Sequence, residues 1–198
     1  TFNNATENVP LGQLKAHEDY PAIIYTTPSY IFPYMDEHHR LAEGAVKHGE
    51  YEMRAERFWM QGKKWNPLMP LSVNINGSFI TITLNNEVNG TDSYAGPVGP
   101  LSIDTSYITD PGNYGFRCTD ANVTITNVSL GSDKKTILIT LDSIPEVGAK
   151  ITYAMQSDLR NSSNPPDRYE RWKFAGARGN IRDNDTRDKS AFDGQNLY

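Results

Sequence analysis

Two periodicities divide this chain. From His39 to about Trp59, the residues Leu41, Ala45, His48, Ala55 and Trp59 recur near one face of a 3.6-residue repeat, with Glu, Lys and Arg interleaved on the other, and the spacing predicts a helix. Gly44 and Gly49 each cost such a helix about 1 kcal/mol relative to Ala, so close packing against a sheet is the expected reason for them. Pro67 and Pro70 mark a boundary, after which the period changes to two. Residues 71–75 and 78–84 flank an Asn76-Gly77 turn and predict a hairpin with Ile80, Ile82 and Leu84 on its core face. Residues 123–128, 136–141 and 150–155 alternate in the same way and predict three further strands. Between the two groups, residues 85–115 form an excursion rich in Gly, Pro, Asn and Asp, of a length that carries function or short strands of its own.

Before the helix, residues 22–27 are apolar on both faces, as in a buried parallel strand, and residues 28–33 form a loop bounded by Pro28 and Pro33. Residues 1–19 read as an irregular polar entry, with His17 on the surface. The expected organisation is an α/β unit over residues 1–66 followed by an all-β sandwich over residues 67–198. After Met155 a polar linker runs to Asp167. The alternating charges of residues 176–188 then read as a solvated loop. Asp183, Asp185 and Asp188 miss the EF-hand spacing and lack its closing Glu, so no metal is expected from them.

Composition narrows the function classes. With 198 residues and a net charge of −5, the chain has no basic footprint for nucleic acid. Its single cysteine, Cys118, forms no internal disulfide. No run approaches the roughly 20 apolar residues of a membrane-spanning helix.

Chemistry concentrates at Tyr34-Met-Asp-Glu-His-His-Arg-Leu-Ala-Glu-Gly44. A carboxylate that holds one imidazole nitrogen leaves the other free to take a proton from a hydroxyl nucleophile, and Asp36 and His39 have the spacing for that pair. This block, with Leu41, Ala42, Glu43 and Gly44 behind it, resembles the last sequence block of the SGNH (GDSL-type) hydrolases. The resemblance implies the final strand and helix of a three-layer α/β fold, with Asp36 as the acid and His39 as the base of a serine esterase. The Gly-Asp-Ser nucleophile block of that family is absent, since Gly131-Ser-Asp133 has another order and Asn76-Gly-Ser78 is a turn. The expectation is therefore the C-terminal part of a longer enzyme, inactive by itself, that works with the remaining part of its hydrolase domain.

The strands resemble the Ig-like or fibronectin-like appendages of some hydrolases. Residues 179–183 and 193–198 resemble the ends of sugar esterases carried on bacteriophage tail spikes. These likenesses imply a polysaccharide O-acetyl esterase, on a virion tail or extracellular, without cofactor or membrane partner and with self-association into a homo-oligomer. Tyr30, Phe32 and Tyr34 border the expected cleft and serve either sugar stacking or loop packing; Trp65 and Trp172 are further stacking candidates. The competing expectation is a non-catalytic carbohydrate-binding or assembly module, in which Asp36 caps a helix starting near Glu37.

Overall fold

A computed structural model describes residues 8–32, 39–106, 110–155 and 179–197. Among the described residues, two α-helices, α1 (Asn8–Asp19) and α2 (Ala42–Met60), precede eight strands: β1 (Pro70–Asn76), β2 (Phe79–Leu84), β3 (Ser102–Ile103), β4 (Phe116–Cys118), β5 (Ile125–Leu130), β6 (Thr136–Leu141), β7 (Ile151–Tyr153) and β8 (Ile181–Arg182). All the strand pairings are antiparallel: a four-stranded sheet ordered β1-β2-β6-β5, and the two-stranded pairs β3-β8 and β4-β7. The fold is thus mixed helix and sheet.

Two of the expected strands, β2 and β6, follow their alternation closely, whereas β1 is exposed throughout and β5 is irregular. Ile80, Ile82 and Leu84 of β2 and Ile137, Ile139 and Leu141 of β6 are buried on one face, joined by Val128, Leu101, Phe116 and Ile181. Burying an aliphatic side chain of this size stabilises by about 1.5–3 kcal/mol, so these residues hold the sheet to its cover. That cover is built from the short β4-β7 and β3-β8 pairs, so the described residues do not form the two full sheets of a sandwich. The hairpin turn also differs in detail from the expected one. Asn76 pairs with Phe79, so Gly77 and Ser78 are the central residues, and positive φ falls on Gly77 at 61°. Glycine at the first central position matches a type II′ turn, whose twist suits the strands it joins.

The excursion after β2 is held by side-chain amides. Asn85 accepts from the Met69 N–H at 2.9 Å and donates to the Pro67 carbonyl at 2.8 Å, while Asn86 donates to the carbonyls of Gly99 and Lys134 at 2.8 and 3.1 Å. It carries β3 and a bridge between Glu87 and Val98. Buried backbone groups there thus gain partners that a ladder would otherwise supply.

Residues upstream of α2 depart from expectation. Residues 8–19 are helical, and residues 22–27 run outside any strand. The Tyr25 N–H bonds to His17 Nδ1 at 3.1 Å and the Thr26 carbonyl accepts from Trp65 Nε1 at 2.9 Å, so side chains take the place of neighbouring strands. His17 is buried rather than on the surface, and its Nε2 lies 3.2 Å from Asn66 Oδ1. Burial of the run is partial as well: Ile24 packs on Phe58 and Trp65, whereas Ile23 is exposed.

Candidate functional site

The helix that carries the candidate site turns a different face inward from the one its apolar residues suggested. Its buried positions are Gly44, Lys47, Tyr51, Arg54, Ala55 and Phe58, whereas Ala45 and Trp59 are exposed. Lys47 and Arg54 point inward because the C-terminal segment lays carboxylates over them. Lys47 Nζ is 2.6 Å from Asp193 Oδ2; Arg54 pairs with Asp185 and with Asp188 Oδ2, and donates to the Leu197 carbonyl at 2.6 Å. The Arg57 fork holds both oxygens of Asp188 at 2.7 and 2.9 Å, and Glu50 accepts from the Ala191 N–H at 2.8 Å. Residues 179–197 are therefore a strap along α2, and the expectation of a solvated charged loop is corrected.

Asp185 lies at the centre of this network and is fully buried. Burial opposes its charge, yet the Arg187 hydrogen bonds and the Arg54 charge hold its carboxyl below the usual range. Arg187 also donates to the Tyr94 and Gly96 carbonyls at 2.7 and 2.6 Å, tying the strap to the excursion. Asp183, equally buried, accepts the Asp185 N–H at 2.9 Å. Desolvation pushes its pKa up to about 6, against the pull of Arg54. Asp185 and Asp188 are engaged by guanidinium groups, and the described residues contain no cluster suited to a metal ion.

A pH dependence follows from Asp183. Its folded pKa lies above the unfolded value, so its contribution to stability is complete below about pH 4 and declines as pH rises through 6. Asp183→Asn removes that decline while keeping an acceptor for the Asp185 N–H. The variant is expected to gain stability relative to the wild type between pH 4 and 8, by about 3 kcal/mol at most. Thermal melts across that range measure it; a difference that does not change with pH would refute the assignment.

At the other end of α2, His39 is exposed and lies three residues before the helix. The helix begins at Ala42 with Leu41 as its N-cap and no side-chain capping bond, so Asp36 is not the cap of α2. Asp36 and Tyr34 lie outside the described residues, as do Trp172 and the linker 156–167. Arg40 places Nη1 2.7 Å from His48 Nδ1, which must then be the acceptor, because a guanidinium only donates. Burial first, and the Arg40 charge second, lower the His48 pKa.

The stacking candidates that are described turn inward. Phe32 is 1% exposed, its ring centroid 5.7 Å from that of Tyr51 and 5.3 Å from that of His48, with the Arg40 guanidinium over it. Tyr30 packs edge-on against Tyr153 at 5.3 Å, and burial raises its hydroxyl pKa. Trp65 stacks on Phe58 at 5.4 Å beneath Arg54. Loop and core packing is thus the role of these three rings. Gly49 meets nothing within 4 Å of an added Cβ, so close packing is not its reason.

Among the described residues, three of the concavities that adjoin these elements bear on the site. A notch of about 50 Å³ between Phe32, Lys47, Tyr51, Asn180 and Asn196 has room for one or two waters. A cavity of about 290 Å³ lies between Tyr30, Tyr153, Met69 and the sheet, and is almost wholly apolar. A shallow groove runs along the outer face of α2 past Val46, Met53 and Met60. His39 lines none of the three. Gly131, Ser132 and Asp133 form the β5-β6 turn, where Asp133 Oδ1 accepts from the Lys135 and Thr136 N–H groups, both at 3.0 Å, and from the Thr136 hydroxyl. That carboxylate serves the turn.

Comparison of the chain with family models, with curated proteins and with solved structures gives no match. No helix among the described residues is long and apolar enough to cross a membrane.

Proposed function

We propose that this chain carries the acid–base end of an SGNH-type serine esterase that removes O-acetyl groups from a polysaccharide. Its serine and oxyanion donors come from the remaining part of the hydrolase domain. His39 takes the proton from the serine hydroxyl as that oxygen attacks the acetyl carbonyl, then returns it to the departing sugar oxygen. Asp36 orients the imidazole and stabilises its protonated form. A second cycle with water releases acetate. No cofactor takes part in these steps.

One observation supports this reading above the others: α2 opens at Ala42 on a Leu41 cap, so Asp36-x-x-His39 precedes the helix and the carboxylate is not needed to start it. His39 is exposed there, whereas the neighbouring Phe32 is packed beneath the helix. An exposed imidazole ahead of the helix can meet a serine presented by another part of a protein. The choice of a polysaccharide rests on the resemblance of residues 179–183 and 193–198 to tail-spike esterases, since Tyr30, Phe32 and Trp65 are used in packing.

The experiment is an acetate-release assay. The 198-residue chain alone is expected to turn over p-nitrophenyl acetate no faster than buffer containing an equal concentration of imidazole. The protein that joins it to a serine-bearing segment is expected to release acetate from an O-acetylated polysaccharide. Steady turnover by the chain alone, or none by the joined protein, sinks the proposal.

A further inference from the structure

Among the described residues β1 is an edge strand of the four-stranded sheet, and only Pro70 and an irregularity at its start interrupt that edge. All seven residues of β1 are exposed, and Leu71, Val73 and Ile75 are 65%, 55% and 62% accessible. Val73 and Ile75 stand on the same side of the sheet as their partners across the hairpin, Ile82 and Ile80. From Trp65 to Asn86 the sequence contains no Asp, Glu, Lys, Arg or His, in a chain where 22% of residues are charged. Edge strands are normally guarded by charges, prolines or bulges, because a row of unpaired backbone groups is a template for another strand. The irregularity between Pro70 and Ser72 lies at the start of β1, leaving Ser72 to Asn76 in regular register with β2.

The register also decides which backbone groups face outward. Gly77 and Ser78 form a two-residue loop closed by the pair of Asn76 and Phe79, and in such hairpins the closing pair is hydrogen-bonded. Hydrogen-bonded and non-hydrogen-bonded pairs alternate along an antiparallel ladder, so Asn74 and Ser72 also bond to β2. The N–H and C=O groups of Val73 and Ile75 therefore point away from β2, to the outer edge of the sheet. The two residues that present backbone to the edge in regular register carry apolar side chains.

This pattern is its own complement. Leu-Ser-Val-Asn-Ile reads apolar, polar, apolar, polar, apolar in both directions about Val73. Two such strands, run antiparallel across a two-fold axis at Val73, set Val73 against Val73 and bring Ile75 of each copy to the Leu71 end of the other. The outward N–H and C=O of Val73 then meet those of the second Val73, and the aliphatic side chains of Val73 and Ile75 from both copies lie on one face. The net charge of −5 repels two copies at long range, and a charge-free edge is the surface where that repulsion is least felt at contact. We propose that β1 is a self-association edge, through which two copies of this chain join their four-stranded sheets into one continuous eight-stranded sheet. This interface is independent of the esterase reading.

Sedimentation velocity tests it, with the unmodified chain expected as a dimer at about 100 μM and a monomer on dilution. Val73→Lys and Val73→Glu each place like charges face to face on the axis and are expected to be monomeric. Their equimolar mixture is expected to regain the dimer, because only the mixed pair sets opposite charges on the axis. Phe79→Lys, on the other face of the sheet, is expected to leave the dimer unchanged. A monomeric wild type at 100 μM, dimers that survive both Val73 variants, or a mixture that stays monomeric each overturn the proposal. A measurement on the unmodified chain stands beside these variants: exchange of the Val73 and Ile75 amides is expected to slow as concentration rises, while that of Ser72 and Asn74 stays constant. Protection of Val73 and Ile75 that is the same at every concentration would mean that the edge is paired within one chain, and the proposal fails.

Discussion

His39→Ala, made in the serine-bearing enzyme, is expected to lower kcat for acetate release by about 10²–10⁴-fold, the usual contribution of a positioned general base. The variant is expected to melt at the wild-type temperature, because His39 is exposed and lies outside α2. That separation of effects makes the result readable. A fall in kcat with an unchanged fold removes chemistry rather than packing. Asp36→Asn is expected to act in the same direction, since an amide can hold the imidazole in the wrong tautomer. Turnover within about twofold of wild type in His39→Ala removes the residue from the mechanism, and with it the reason for placing the serine elsewhere.

The second large effect concerns the strap rather than the chemistry. Asp185→Ala leaves the buried Arg54 and the nearly buried Arg187 without their shared carboxylate, and breaking a buried ion pair from one side costs about 3–5 kcal/mol. For a chain of this size that corresponds to a fall in melting temperature of about 10 °C. Arg57→Ala removes the other guanidinium on Asp188, but Arg57 is half-exposed, and such pairs contribute about 1 kcal/mol or less. The contrast between these two variants is the test. Equal melting temperatures would show that Asp185 does not hold the strap to α2. Joint replacement of Arg54 by Met and Asp185 by Leu is expected to recover part of the loss, because Arg54 is then no longer a buried charge without its carboxylate, although Arg187 still lacks Asp185.

The same contrast separates what local sequence could tell from what it could not. For β2 and β6 the alternation alone located the strands and their inward residues, since a strand buried on one face repeats its environment every two positions. The Asn76-Gly77 pair marked the hairpin, although the structure moved the turn on by one residue, to Gly77 and Ser78. For α2 the sequence located the helix and missed its inward face. Lys47 and Arg54 counted as polar and therefore outward, and nothing within a helical repeat shows that Asp185, Asp188 and Asp193 return from far along the chain to meet them. The run 22–27 failed for a related reason. Its apolar character is real, but the partners that satisfy its backbone are side chains of His17 and Trp65, where neighbouring strands were expected.

Of the candidate site, the sequence by itself determined a residue pair and a spacing: Asp36 and His39, ahead of a helix and without a Gly-Asp-Ser partner in the chain. Only the tertiary structure decided that α2 starts after both residues on a Leu41 cap, and that Phe32, Tyr30 and Trp65 are committed to packing. Composition and local periodicity report the environment that a residue prefers. Which distant groups supply that environment depends on how the chain closes, and a carboxylate such as Asp185 becomes a core residue only when two guanidinium groups close around it.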